Sequence, residues 1–319
     1  MRNTLIGFGA GAAAALLFAS VSTGSWLAVL LFYLAPLPIM IAGIGWSHWA
    51  AMIAAVFAAL ALGLAFSPVF FFAFLAGAGA PAWWLSYLAM LARPVGDGPT
   101  ATLEWYPPGR LVVWAAVLAT LVVVAAIAHL GFDAAAFRAK LAETLSGLFK
   151  SATPTEALTL PGVNNRDRLI EFLVEVTPPA GAVVATITSL LNLWLAARIV
   201  KMSGRLHRPW PRLSDMRFPP LAAVGLVAAI TLSFAGGMLG ILAGVLSASL
   251  FVAYGILGLA VLHAITLGLQ ARPFLIGGAY AAVLVFGWPL LVFCLLGLID
   301  TMLDLRGRVA RKRGPSATT

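Results

Sequence analysis

Charge is what this sequence has least of. Aspartate, glutamate, lysine and arginine make up 10% of its 319 residues, against about 25% in ordinary soluble domains. Acids are the scarcer sign, 11 against 20 lysines and arginines, and all 11 lie in loops or at the ends of apolar runs. Ion-coupled pumps and proton relays work through carboxylates held inside the membrane, so the sequence argues against both. Cysteine occurs once, at Cys294, which excludes an intrachain disulfide and any multi-cysteine metal site. The four histidines, His48, His129, His207 and His263, fall in different runs and loops, so a metal site built from them is not expected.

Sequence motifs for catalysis are equally sparse. Gly147-Leu148-Phe149-Lys150-Ser151 lacks the Gly-Lys-Ser/Thr order that cradles phosphate. No G-x-S-x-G elbow and no H-E-x-x-H helix occurs. Gly7, Gly9 and Ala12 match the letters of a dinucleotide fingerprint, but no strand fits before them and the first acid in the chain is Asp97. With no nucleophile, acid pair or metal cluster, the expectation is a protein that is not an enzyme and needs no cofactor.

Apolar residues fill the space that charge leaves. They make up 62% of the chain, and the mean hydropathy is +1.00. A hydrocarbon core about 30 Å thick takes about 20 apolar residues per helix. Uncharged runs of that scale give nine candidate spans: 4–21, 26–44, 47–66, 68–92, 111–131, 180–198, 219–236, 240–270 and 274–299. Between residues 3 and 92 the only charged or imidazole side chain is His48. No period-2 barrel pattern is present, so helices are the spanning elements. The expected fold is an all-α polytopic transmembrane bundle of about 8–9 spans in a single membrane domain, 1–319. Within it lie an N-terminal half (1–131), an extramembrane segment (132–179), a C-terminal half (180–299) and a basic tail (300–319). Arg2 alone is a poor signal-peptide n-region, and Ser20-Val21-Ser22 a poor cleavage site, so 4–21 is expected as a retained first helix.

Lysine and arginine set orientation. The loop after the sixth span carries Arg198, Lys201, Arg205, Arg208, Arg212 and Arg217 against Asp215, and belongs in the cytoplasm. That places the N-terminus inside and 132–179 outside. The basic tail from Arg306 to Arg313 also looks cytoplasmic, yet three spans after residue 217 would put it outside. An even number of crossings with both ends inside is the expectation, with the long 240–270 run as the place where the count is ambiguous. Net charge of +9 sits in these membrane-flanking loops, so nucleic acid is not an expected partner.

Residues 133–150 place Ala134, Phe137, Leu141, Leu145 and Leu148 at steps of 3 and 4, an amphipathic helix suited to the membrane surface. A second short helix over about 166–176 precedes Thr177-Pro178-Pro179. Gly7, Gly11, Ala15 and Ala19 form a small-residue stripe suited to close helix packing. Arg198, Lys201, Arg205 and Arg208 step by 3, 4 and 3, which predicts one cationic face on a helix continuing the sixth span until Pro209. Anionic phospholipid headgroups are the expected contact of that face, with an acidic cytosolic partner as the alternative.

Short patches of the chain also resemble a known family. Pro36-Leu37-Pro38-Ile39, Asn192-Leu193-Trp194-Leu195-Ala196-Ala197-Arg198, Arg208-Pro209-Trp210-Pro211, Arg217-Phe218-Pro219, Gly258-Leu259-Ala260-Val261-Leu262-His263 and Gly297-Leu298-Ile299-Asp300 with Leu305-Arg306 resemble the YybS-like bacterial membrane proteins. The N-terminal half is similar in layout to substrate-binding subunits of energy-coupling-factor transporters. The resemblance implies a bacterial inner-membrane location, no established activity, and a transport or substrate-binding subunit for a small molecule or lipid that an energising subunit would drive. A scaffold for envelope assembly is the other expectation. His263, Asn192 and Asp300 are the candidate ligand residues, with Arg198, Lys201, Arg205 and Arg208 for lipid or a partner. Trp83, Trp84 and Tyr87 suit either an aromatic floor for a flat ligand or an interfacial belt.

Overall fold

A computed structural model describes residues 2–96, 102–152 and 166–313. The chain is helical: α1 (Arg2–Ala19), α2 (Trp26–Tyr33), α3 (Leu37–Gly45), α4 (His48–Ala65), α5 (Pro68–Phe74) and α6 (Ala80–Ala89) form the N-terminal half. A short hairpin, β1 (Ala92–Val95) and β2 (Thr102–Trp105), follows. Then come α7 (Pro108–Leu130), α8 (Ala134–Ala152), α9 (Arg166–Met202), α10 (Pro220–Ser233), α11 (Gly237–Ile265), α12 (Arg272–Phe286), α13 (Pro289–Leu303) and α14 (Leu305–Arg313). Seven helical stretches are long and apolar enough to cross a membrane, with α2–α3 and α5–α6 each counting as one.

Helix starts follow local chemistry. Ser25 and Ser47 accept from the backbone N–H three residues on and so cap α2 and α4. Proline occupies the first position of α5, α7, α10 and α13, where its missing N–H costs nothing. Asp133 caps α8 through Ala136 N at 2.7 Å.

The small-residue stripe packs within this chain. A Cβ on Gly7 would lie 2.8 Å from Ile53 Cγ2, and one on Gly11 would lie 2.7 Å from the Ala54 carbonyl. Opposite them α4 presents Ala50, Ala54 and Ala58, all fully buried. Two helices with so little side chain between them approach closely, and dispersion contact replaces the hydrophobic drive that lipid cannot supply. The pairing runs α1 parallel to α4, which sets Arg2 at the same end of the bundle as His48.

That end also receives the basic loop. Arg208 reaches Ala89 at the end of α6 and Tyr106 before α7, while Arg205 stacks on Trp46 after α3. Thr120 donates to Ser249 at 3.1 Å across α7 and α11. Ile127, Phe137, Ala182 and Val245 close the opposite end. From these contacts α10, though only 14 residues, runs out from the basic end and α11 returns. The Gly236–Gly237 turn, both at positive φ, joins them.

Several expectations need correction. The 26–44 run is two helices, because Pro36 has no N–H to continue the ladder and Leu37 N turns back to Leu34 O. The 68–92 run is interrupted by a π segment at Leu75–Gly79 and ends at Ala89, with β1 following. No separate 166–176 helix exists; α9 runs unbroken for 37 residues through Pro178 and Pro179. The 240–270 run is one helix ending at Ile265, with no second crossing or re-entry. The 274–299 run is split at Gly287, φ +70, into α12 and α13 of 15 residues each. Each is about 22 Å long, shorter than a hydrocarbon core about 30 Å thick. Because α12 follows the return of α11 and the α13 end meets the basic loop, this pair adds no net crossing. Arg2, beside the start of α4, and α14, tied to the basic loop through Arg306, both lie at the basic end.

The amphipathic α8 does not present its whole apolar stripe to a bilayer. Phe137 is 2% exposed and packs with Leu141 against α7, α9 and α11, leaving Leu148 exposed at the far end of the stripe.

Candidate functional site

The basic loop is held by its backbone and by aromatic rings. Helix α9 stops at Met202, nearly two turns earlier than the charge spacing predicts, so the four cations do not share one helical face. Gly204 at φ +71 terminates it, with Arg205 N bonded to Val200 O at 3.1 Å in a Schellman-type closure. The loop then folds over the bundle end. Arg208 donates Nη1 to Ala89 O at 2.7 Å and Nη2 to Tyr106 O at 2.8 Å, and desolvation lowers its pKa from the ordinary value. Arg208 is therefore an anchor that ties the loop to α6 and the hairpin.

The other three cations stay exposed and lie on indoles. Lys201 Nζ sits 4.9 Å from the Trp210 ring centre and the Arg198 guanidinium 5.9 Å from the same ring. Arg205 lies 4.7 Å over Trp46. Such contacts fix a cation's position without neutralising it. Near them sit Trp49, Tyr87, Trp83, Trp84, Trp114 and Tyr106, linked by ring contacts and by a Trp114 Nε1 to Tyr106 hydroxyl bond. Trp83 and Trp84 also line a second cavity, of about 300 Å³, with Leu118 and Leu121.

Beneath the loop is a cavity of about 270 Å³. Leu193, Trp194 and Ala197 of α9 form one wall, and Leu111, Ile256 and Ile44 others. Leu206, Pro209, Trp210 and Met216 roof it, and Arg208 is its one charged lining residue. Trp210 thus lines the cavity and also carries two of the cations.

The three candidate ligand residues do not converge. Asp300 is buried and occupied: Arg306 donates Nε and Nη2 to its Oδ2 at 2.9 and 2.7 Å and its backbone N to Oδ1 at 3.1 Å. Arg306 Nη1 continues to the carbonyls of Ser214 and Met216. Asp304 lies 3.3 Å from Arg217. Asn192 is fully buried, and its Nδ2 donates to Tyr33 O at 2.8 Å and Thr188 O at 2.9 Å. It satisfies a carbonyl freed by the α2–α3 break. His263 stands in the last turn of α11, with Nδ1 2.9 Å from Leu259 O and its ring edge-on to Tyr280.

Sequence reasoning missed Trp46 and Trp210 as partners of the cations and Arg306 as the partner of Asp300. The signal for Trp210 was an aromatic residue between two prolines in a cationic loop; Trp46 offered none. For Arg306 it was a lone acid and a base six residues apart around a helix end. Among the described residues no group of three or more histidine, cysteine or acidic side chains is placed to hold a metal.

No curated protein and no solved structure matches the chain. Residues 12–301 match a family model described as "Predicted membrane protein (DUF2232)". A helical bundle with seven membrane-length stretches fits that description, and the chain belongs to this family of predicted membrane proteins.

Proposed function

We propose that this protein is a non-catalytic membrane subunit that holds an apolar or amphiphilic small molecule, lipids included, at its basic end. One observation carries the reading: the apolar cavity roofed by the basic loop, whose lining offers no nucleophile and no acid–base pair. A site of this kind binds by shape and burial and does no covalent chemistry. The resemblance to YybS-like proteins, and in layout to vitamin-transporter binding subunits, supports a transport role in which another subunit supplies energy. We place the basic end in the cytoplasm of a bacterial cell on the excess of lysine and arginine there.

Native mass spectrometry of the detergent-purified chain tests this. The expected result is a retained amphiphile that Ala197→Phe, which fills the cavity, displaces without lowering the melting temperature. A wild-type protein free of any amphiphile, and unable to take one up from added lipid, overturns it. The scaffold reading is favoured by one feature, α12, which has no buried residue and exposes Phe274 and Leu284. Co-purifying proteins in place of a ligand would select it.

A further inference from the structure

The cations at the basic end are positioned but not neutralised, and that combination points to a specific ligand chemistry. Three ion pairs are formed among the described residues: Arg93–Glu104, Arg217–Asp304 and Arg306–Asp300. Arg198, Lys201 and Arg205 take part in none of them. The loop's one acid, Asp215, accepts from the Ser214 hydroxyl. Arg208 is turned inward onto two carbonyls. What remains is three exposed positive charges whose charged ends rest on the rings of Trp210 and Trp46. Ordinary surface lysines and arginines sample many rotamers; these have rings to rest on, so less freedom is lost when an anion arrives.

The apolar cavity begins where the cations end. Trp210 holds Arg198 and Lys201 at its ring and belongs to the cavity lining, as do Trp194 and Ala197 just before Arg198. Trp194 is about half exposed, so that wall of the cavity meets the lipid-facing surface of α9. A ligand matching both parts needs an anionic group and an apolar chain attached to it. We infer that the cavity and the Arg198–Lys201–Arg205 cluster form one site for an anionic phospholipid, with the phosphate on the cations and part of an acyl chain in the cavity. This deepens the ligand-holding reading and rests on it. A free phosphate would use the cations alone, and a neutral amphiphile the cavity alone.

The test uses the full-length protein in detergent, titrated with phosphatidylglycerol and phosphatidylcholine of identical acyl chains and followed by native mass spectrometry. Wild type is expected to prefer phosphatidylglycerol by at least about tenfold, since each cation near an anionic headgroup contributes about one decade or somewhat less. Arg198→Gln, Lys201→Gln and Arg205→Gln together should remove the preference by weakening phosphatidylglycerol far more than phosphatidylcholine, whose own choline cation offsets its phosphate, and should leave the melting temperature unchanged. Ala197→Phe should weaken both lipids. Equal binding of the two lipids by wild type, or a preference that survives the triple substitution, overturns the inference while the cavity still holds an amphiphile. Binding of neither lipid overturns the broader reading as well. Competition by inorganic phosphate at full strength, with no effect of Ala197→Phe, would reduce the site to a bare anion cluster, and capture of an acidic protein by the same cations without lipid would replace the inference.

Discussion

Arg306 turns back onto Asp300, six residues behind it, and the two form a buried ion pair at 2.7 Å. The reversal is made at Asp304, a non-glycine residue at φ 47. Two carbonyls of the basic loop, from Ser214 and Met216, share the same guanidinium. The pair therefore closes the C-terminal helices onto the end of the bundle that holds the cavity.

Breaking that pair from one side should be worse than removing it altogether. Arg306→Gln leaves a buried carboxylate without its partner, a loss on the order of 3–5 kcal/mol. Asp300→Asn combined with Arg306→Gln should recover part of it, because no uncompensated charge remains. Thermal melts of the detergent-solubilised variants read the order directly. A double variant no more stable than Arg306→Gln would show that the charges are not what couples the two ends.

Glycines separate into two kinds. A Cβ on Gly258 of α11 would run into the Phe293 carbonyl of α13, and one on Gly297 of α13 would lie 2.5 Å from Tyr254 O of α11. Gly244, also on α11, has open space. Gly258→Ala should destabilise by about 1–3 kcal/mol through overpacking of the crossing. Gly244→Ala should be neutral or stabilising by about 0.5–1 kcal/mol, the usual gain in a helix interior. Gly11→Ala and Gly9→Ala on α1 should repeat the contrast, since only Gly11 faces a neighbour. Equal melting temperatures within either pair would contradict the packing.

Asn192 and His263 should behave differently under apolar substitution. Asn192→Leu removes the partner of the Tyr33 carbonyl, at a penalty of about 1–3 kcal/mol. His263 bonds a carbonyl of its own helix one turn back and meets α12 through its edge-on ring contact with Tyr280, so His263→Leu removes no hydrogen bond between elements and should shift stability by less than about 1 kcal/mol. Melting temperatures of the two variants, compared with wild type, check the ranking.

Topology is open to a labelling experiment in intact cells. Cysteines placed singly at Ser203 and at Thr144, exposed on the basic loop and on α8, should differ in reactivity toward a membrane-impermeant thiol reagent. Thr144→Cys should label and Ser203→Cys should not, with the native Cys294 silent because it is buried. The reverse pattern would place the basic end outside and invert every assignment of sides made above.

Much of the architecture was legible because hydropathy reports the bilayer directly. The runs at 4–21, 47–66 and 111–131 correspond to α1, α4 and α7 nearly end to end. What the sequence hid were breaks that apolarity cannot register. Leu34 to Pro36, Leu75 to Gly79 and Gly287 interrupt helices without interrupting hydrophobicity. The converse error came at Pro178–Pro179, where a strong breaker signal lies inside a continuous helix. Thr177 Oγ1 donates to Leu173 O there at 2.6 Å, a local bond that helps the turn persist without the proline donors. The site was half legible: the spacing of Arg198, Lys201, Arg205 and Arg208 flagged a cationic cluster, but nothing in that spacing shows that one member turns inward while three rest on indoles.

At 37 residues, α9 is about 56 Å long, against a hydrocarbon core of about 30 Å. It is a single strut longer than that core, and its end at the basic loop carries Trp194, Ala197 and Arg198 beside the cavity. Two adjacent prolines leave the carbonyls of Val174 and Glu175 without their usual donors, so the strut has one compliant joint, roughly one bilayer thickness above Met202. Bending at that joint would leave the segment from Pro179 to Met202 in register with the basic loop.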